Sequence, residues 1–287
     1  MRLYTIESEN RQYVAVERKD GRLITLDSMG IKVKDMNDLI LRFDEISSSI
    51  RSGLKKETKE VNECEYRIKA PIPVPVQDVI CLGVNYKSHI EETVDVLDFR
   101  KKTDTVYFSK RVNYANDPDG IIPVYDFVDS LDYEVELGVV LKKDAKNISS
   151  EEAADHILGY TIINDVSARN LQFKHQQWYR GKSLDGYTPM GPCIVTADEL
   201  GDAHNLGITC YVNDEKRQES NTSFMITTIE EAISELSQGM TLKAGTIIAT
   251  GTPGGVAMGM NPPAYLKKGD VIRCEIQGIG NLANRCG

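Results

Sequence analysis

Short apolar segments follow one another at close spacing from residue 78 to the C-terminus, and this limits the fold more than any other feature. DVICLGV, TVYFSK, YEVELGVVL, ILGYTIIND, PCIVT, LGITCYVND, GTIIATG and GDVIRCEI alternate with turn signals, as strands do. Helices between them are few and short, with TTIEEAISELSQG (227–239) the clearest. A doubly wound sheet needs a helix between successive strands, and that alternation is missing. The pattern predicts a β-rich α+β fold with a coiled or barrel-like sheet. Asn213-Asp214 predicts a hairpin turn.

The first 70 residues form a separate compositional block. MRLYTI, QYVAVER and RLITL read as strands, the first two as a hairpin, and DLILRFDEISSSIRSGLKK has helical spacing. The proline-rich APIPVPV (70–76) cannot continue a helix or a central strand. It divides a small N-terminal α+β domain, 1–70, from a larger domain, 71–287. The formal charge of −9 argues against a nucleic-acid or anionic-membrane partner. No apolar run is long enough to span a bilayer, and MRLYTIESENRQYV has no signal-peptide core; a cytoplasmic protein is expected. The six cysteines are scattered without a CxxC pair, which suits reduced packing thiols. Cys286, beside the C-terminus, is expected to be exposed.

Chemistry concentrates in three places. In DYEVELGVVL, Asp132, Glu134 and Glu136 alternate along a strand and therefore share a face. YTIINDVSARNLQ ends a further strand at Asp165. Carboxylates gathered from two strands repel unless a cation lies among them, and oxygen-only ligands favour Mg²⁺, Mn²⁺ or Ca²⁺ over zinc. The spacing alone more readily allows the glutamates to face solvent and Asp165 to cap the next helix. In LGVNYKSHIEET, His89 and Glu92 are spaced i, i+3, so the carboxylate can fix the imidazole tautomer for proton transfer; a surface helix can carry the same pair for no chemical reason. His156, His175 and His204 lie in polar surroundings and read as surface or helix-end residues. In QFKHQQWYRGKSLDGYTPMGPCIVT, Lys182 lies in an ordered loop, where it can hold a carboxylate or stabilise an enolate. RGKS lacks the Walker frame. TGTPGGVAMG makes a tight turn whose N–H groups can cradle an anion, without dinucleotide-site spacing.

Taken in order, LGVNYKSHIEE, DYEVELGVVL, GYTIINDVSARNLQ, RGKSLDGYTPMGPCIVT, TGTPGGV and GDVIRCEIQGIGNLAN resemble the fumarylacetoacetate hydrolase family over about residues 78–285. The resemblance implies a rolled, mixed β-sheet catalytic domain, a homodimer, and one Mg²⁺ or similar ion on Glu134, Glu136 and Asp165. It implies a His89–Glu92 catalytic dyad with Lys182, and substrate contacts from Arg169, Gln172 and Thr252. Asp132 precedes the ligand pair without being a ligand. The implied substrate is a small 2-oxo or 2-enol acid.

C–C bond hydrolysis of an acylpyruvate- or fumarylpyruvate-like acid ranks first. Next come an isomerase or decarboxylase of the 5-carboxymethyl-2-hydroxymuconate or 2-hydroxyhepta-2,4-diene-1,7-dioate type, and an oxaloacetate decarboxylase or tautomerase. A 2-oxo acid binder without turnover ranks last, because binding alone needs no base. Three departures stand out: Asn170 where the family has Asp, and the segments RVNYANDPDGIIPVYDFVD (111–129) and TVDVLDFRKKTD (93–104). The first segment is expected near the site, where it would alter specificity.

Overall fold

The computed structural model describes residues 1–55, 66–93, 104–175 and 177–287; most of TVDVLDFRKKTD, and Cys64, lie outside them. The strands are β1 (Arg2–Ser8), β2 (Arg11–Glu17), β3 (Leu23–Thr25), β4 (Arg67–Lys69), β5 (Val79–Gly83) and β6 (Val106–Lys110). They continue with β7 (Ile121–Ile122), β8 (Leu131–Asp132), β9 (Val135–Leu141), β10 (Ile157–Asn164), β11 (Ser167–Ala168) and β12 (Met190–Thr196). The last are β13 (Gly207–Val212), β14 (Glu215–Asn221), β15 (Ile247–Ala249), β16 (Val271–Ile276) and β17 (Gly280–Cys286). The helices are short: α1 (Met36–Leu41), α2 (Phe43–Gly53), α3 (Lys87–Thr93), α4 (Ser150–Ala153), α5 (Arg169–Lys174), α6 (Tyr179–Lys182), α7 (Ala197–Leu200) and α8 (Ile229–Ser237).

Ten strands form one sheet in the order β3-β2-β1-β12-β10-β9-β15-β5-β6, with β4 also on β1. It is mixed, since β15 and β5 run parallel while their other neighbours are antiparallel. β3 and β6 are its edges, so among the described residues the sheet stays open and no barrel closes. A second sheet has the order β14-β13-β16-β17-β7. β1 pairs with β12 at Arg2↔Val195 and Leu3↔Ile194, so the first block of the chain adds its strands to the sheet that carries the larger block. The helical pattern near residue 45 is broken at Arg42 into α1 and α2.

Every residue of β9 and β10 is buried. Both faces are covered, which explains their nearly unbroken apolar runs. Val135, Leu137 and Val139 pack with Ile208, Cys210, Ile272 and Cys274 of the second sheet. Val140 and Ile163 pack on the opposite side with Leu39, Ile40, Phe43 and Ile46 of the helices. The molecule is therefore layered as helices, large sheet, small sheet. The five described cysteines are all buried and unbridged; Cys286 is 1% exposed because β17 pairs on both sides, against the expectation for a residue so near the terminus. Asn213 and Asp214, both at positive φ, turn β13 into β14 as their sequence predicts. No helix among the described residues is long and apolar enough to cross a membrane.

Candidate active site

The start of β9 and the end of β10 lie side by side, with Glu136 opposite Ile163 and Val135 opposite Asn164. Asn164 Oδ1 accepts the Glu134 N–H at 3.0 Å, and the Asp165 N–H donates to Glu134 O at 2.8 Å. This register gathers Glu134, Glu136 and Asp165, each with one oxygen within 4.8 Å of the others, all buried. The glutamates do not face solvent, and the N-cap of α5 is Ala168, not Asp165. The surface alternative is thereby excluded.

Charge explains what such a cluster needs. Burial, followed by the nearby Asp165 and Glu134 carboxylates, pushes the Glu136 carboxyl well above its ordinary range. Only the Gly251 N–H, 2.9 Å away, donates to it among the described side-chain contacts. Glu134 behaves oppositely: burial raises its pKa, but Lys182 and Arg169 outweigh that and hold it low. A cation is lacking at Glu136 and not at Glu134. Three converging carboxylates with one under-compensated form an oxygen donor set that fits a hard divalent ion.

Three buried cations frame the triad. Lys182 Nζ lies 2.6 Å from Glu134 Oε2 and 2.8 Å from Asp165 Oδ2. Burial disfavours its charge, yet Asp165 and Glu134 overcome this and keep the ammonium pKa raised. Arg169 donates from Nε to Asp132 Oδ2 at 2.9 Å. Its Nη2 lies 2.6 Å from Glu134 Oε1, as an ion pair without hydrogen-bond alignment. Lys110, closing β6, donates to Asp165 Oδ1, to Val166 O at 3.1 Å and to Tyr187 O at 2.9 Å, and is fully buried. Sequence reasoning passed over Lys110, because a lysine closing a strand reads as a solvated end. No local signal marks it, because its partners are brought to it across 55 or more residues of chain.

Lys182 lies in α6, a single helical turn, where a loop was expected. Gly181 permits this: a Cβ there would lie 2.6 Å from Gln172 N and 2.8 Å from Ala168 O. Its absence lets α6 press against α5, so Arg169, Gln172 and Lys182 form one unit. Gln172 accepts from Arg169 Nη1 at 3.0 Å.

β5 leaves the sheet at Gly83, and Val84 turns the chain with φ +56°, a costly conformation for a β-branched residue. α3 follows, with His89 Nδ1 2.7 Å from Glu92 Oε1. Glu92 Oε2 accepts the Gly255 N–H at 2.7 Å, and Ser88 Oγ accepts that of Gly254 at 3.1 Å. The turn TGTPGGVAMG was expected to cradle an anion. Its N–H groups instead hold the chain's own carboxylates: Gly251 holds Glu136, Gly255 holds Glu92, and Ala257 and Met258 hold Asp132. Thr252 gives its hydroxyl proton to Val135 O at 2.9 Å and accepts from Gln218 at 2.7 Å.

These groups surround one narrow cavity. His89, Glu134, Glu136, Arg169, Gln172, Lys182 and Thr252 supply its polar lining; Leu82, Val84, Phe108, Trp178 and Met258 supply its apolar lining. Asp165 and Glu92 stand behind Lys182 and His89. None of residues 111–129 lines it, so that atypical segment does not shape the cavity directly. Asn170 donates to Phe127 O at 2.9 Å, and its N–H to Ser130 Oγ at 2.9 Å; it fastens that segment and makes no salt bridge. His204 does have carboxylate company, 2.8 Å from Glu230, but on the surface and outside the cavity.

The comparisons with known proteins agree with this geometry. The family model for the fumarylacetoacetate (FAA) hydrolase C-terminal domain matches residues 78–286. Oxaloacetate tautomerase YisK of Bacillus subtilis is 37% identical over 302 residues, covering 100% of both chains. Among solved structures, the fumarylacetoacetate hydrolase of Exiguobacterium antarcticum superposes with a TM-score of 0.85 at 35% identity, covering 100% of this chain and 99% of its own. Maleylpyruvate hydrolase from Sphingobium sp. SYK-6, in complex with manganese(II) and pyruvate, gives 0.80 at 26% identity, covering 100% and 98%. With a family model matched over most of its length and relatives and solved structures matched along all of it, the chain belongs to the fumarylacetoacetate hydrolase family.

Proposed function

We propose that the protein is a divalent-metal enzyme that interconverts the keto and enol forms of a small 2-oxo acid, with oxaloacetate as its leading substrate. One observation carries the reading: the Glu92-paired imidazole of His89 and the triad glutamates Glu134 and Glu136 line the same narrow cavity. Keto–enol exchange needs one base, one electrophile and no further reactant. Support comes from the relative matched over its entire length, an oxaloacetate tautomerase.

Glu134, Glu136 and Asp165 would hold Mg²⁺ or Mn²⁺, which supplies Lewis-acid polarisation of a 2-oxo carbonyl when bound. The protein's own residues do the rest. Arg169 and Gln172 orient the substrate carboxylate from the floor made by α5. His89, its tautomer fixed by Glu92, removes a proton from C3 and the proton is returned at the C2 oxygen, so one C–H bond breaks, one O–H bond forms and nothing is released. The Lys182 ammonium stabilises the charge that develops on that oxygen in between.

Hydrolysis of a C–C bond, ranked first by sequence alone, becomes the second reading. The same His89 would then deprotonate water for attack on a carbonyl further along the substrate. The likeness to maleylpyruvate hydrolase, whose structure contains manganese and pyruvate, favours it. The deciding experiment offers purified protein, with Mg²⁺ or Mn²⁺, oxaloacetate and a set of acylpyruvates. Faster decay of the oxaloacetate enol absorbance without pyruvate release from acylpyruvates is the expected result. Stoichiometric pyruvate from an acylpyruvate, with oxaloacetate unaffected, would replace the first reading by the second. Unchanged turnover in Glu134→Gln would remove both.

A further inference from the structure

The segment that delivers the metal-site glutamates also carries two residues with no role in the reading above, Asp132 and Tyr133. Both are fully buried. Asp132 is saturated by donors: Oδ1 accepts the N–H groups of Tyr133 at 2.9 Å and Ala257 at 2.8 Å, while Oδ2 accepts that of Met258 at 3.0 Å and Arg169 Nε at 2.9 Å. Tyr133 donates its hydroxyl to Gly255 O at 2.9 Å. Gly255 is the residue whose N–H holds Glu92 at 2.7 Å. Three consecutive residues therefore divide the labour. Glu134 enters the acidic triad, Tyr133 fixes the Gly255 peptide, and Asp132 fixes the next turn of the same loop while anchoring Arg169.

We propose that Asp132 and Tyr133 are positioning residues for the His89–Glu92 dyad. They clamp the 255–258 loop so that Gly255 presents its N–H to Glu92 at a set distance from the carboxylate triad. The dyad sits on α3, a helix of seven residues that is too short to hold its own geometry. Its alignment must come from outside, and the loop supplies it through Gly255 and Gly254. The proposal rests on the reading of His89 and Glu92 as the proton-transfer pair.

The test uses Mg²⁺-loaded protein and two variants. Tyr133→Phe keeps the ring and removes only the hydroxyl, so folding is preserved. Asp132→Asn removes acceptor capacity for two of four donors. Losing one hydrogen bond is expected to lower kcat about tenfold in Tyr133→Phe, and losing charged hydrogen bonds about a hundredfold in Asp132→Asn. Mn²⁺ affinity should stay within about threefold in both variants, because Glu134, Glu136 and Asp165 are untouched, and KM should do so in Tyr133→Phe, whereas Asp132→Asn also loosens Arg169 and should raise KM. In a Glu92→Ala background the effect of Tyr133→Phe on kcat should vanish, since that arm of the clamp acts through Glu92.

A readout without turnover accompanies these. In protein with ¹⁵N-labelled histidine, the low-field proton resonance of the His89 imidazole bonded to Glu92 should shift or broaden in both variants. A loss of kcat in Tyr133→Phe that persists undiminished in the Glu92→Ala background would overturn the proposal, as would an unmoved resonance in both variants. Should the parent turn over no 2-oxo acid, the functional reading falls, and the resonance alone decides whether the clamp exists.

Discussion

Glu134 and Glu136 of the acidic triad and His89 of the dyad line one cavity, yet triad and dyad are held in opposite ways. The triad sits on β9 and beside the ends of β9 and β10, strands buried at every residue, and its charges are locked by side chains from β6, α5 and α6. The dyad rides on a short helix fastened by two backbone N–H groups of a loop. Four buried carboxylates, Asp132 among them, and three buried cations can coexist only where nothing moves, because any displaced partner leaves an unpaired charge in a poor solvent. A proton shuttle has the contrary need, since substrate must reach it. Placing the two on different kinds of support lets one be rigid without freezing the other.

The sharpest way to break this contrast is Lys110→Met. It removes one buried cation from Asp165 and should cost about 3–5 kcal/mol of stability in denaturant titrations. A loss under about 1 kcal/mol would show that the triad is not the rigid partner described here. His89→Ala tests the other side. Turnover should fall about 10²–10⁴-fold, with Mn²⁺ binding retained and the melting temperature nearly unchanged; loss of metal binding would show that the two regions are one structure.

A subtler difference lies in pH. Without metal, the raised Glu136 carboxyl contributes stability below the ordinary carboxylate range and loses it as pH rises through its folded-state pKa, while the lowered Glu134 does the reverse. A divalent ion relieves Glu136, so the gain in melting temperature on adding Mn²⁺ should be larger near about pH 8 than near about pH 5. Equal gains at both would mean that Glu136 is not the under-compensated ligand. The smallest effect is expected from Asn170→Ala, about 1 kcal/mol of stability with kcat unaltered, because its bond to Phe127 lies outside the cavity.

How far the sequence reaches follows from the same contrast. Glu134 and Glu136 are legible because period-two alternation of charge in an apolar strand is itself anomalous. His89 and Glu92 are legible as a local i, i+3 pair. Lys110 and the Tyr133–Gly255 bond are not, since they depend on pairings across 55 and 122 residues of chain, and strand pairing at such separation leaves no local mark. The same reason hides the β1–β12 pairing, which joins blocks that composition separates. The open sheet, in place of a closed one, is likewise a matter of which edges meet. Relative ranking of hydrolysis and tautomerisation was not legible at all, because both use the same base, triad and lysine.

Gly83 lacks the side chain that would otherwise strike the ring of Trp178; a Cβ there would come within 2.5 Å of it. The indole can therefore lie against the end of β5, in edge contact with Phe108 at 5.2 Å, as part of the cavity wall. It is also the chain's single tryptophan. The protein thus carries one indole fluorophore in the cavity wall, and excitation at the red edge of its absorption leaves the 13 tyrosines silent. Titrating a non-reactive acid such as oxalate while watching that emission reports occupancy directly, in solution, before any question of turnover arises.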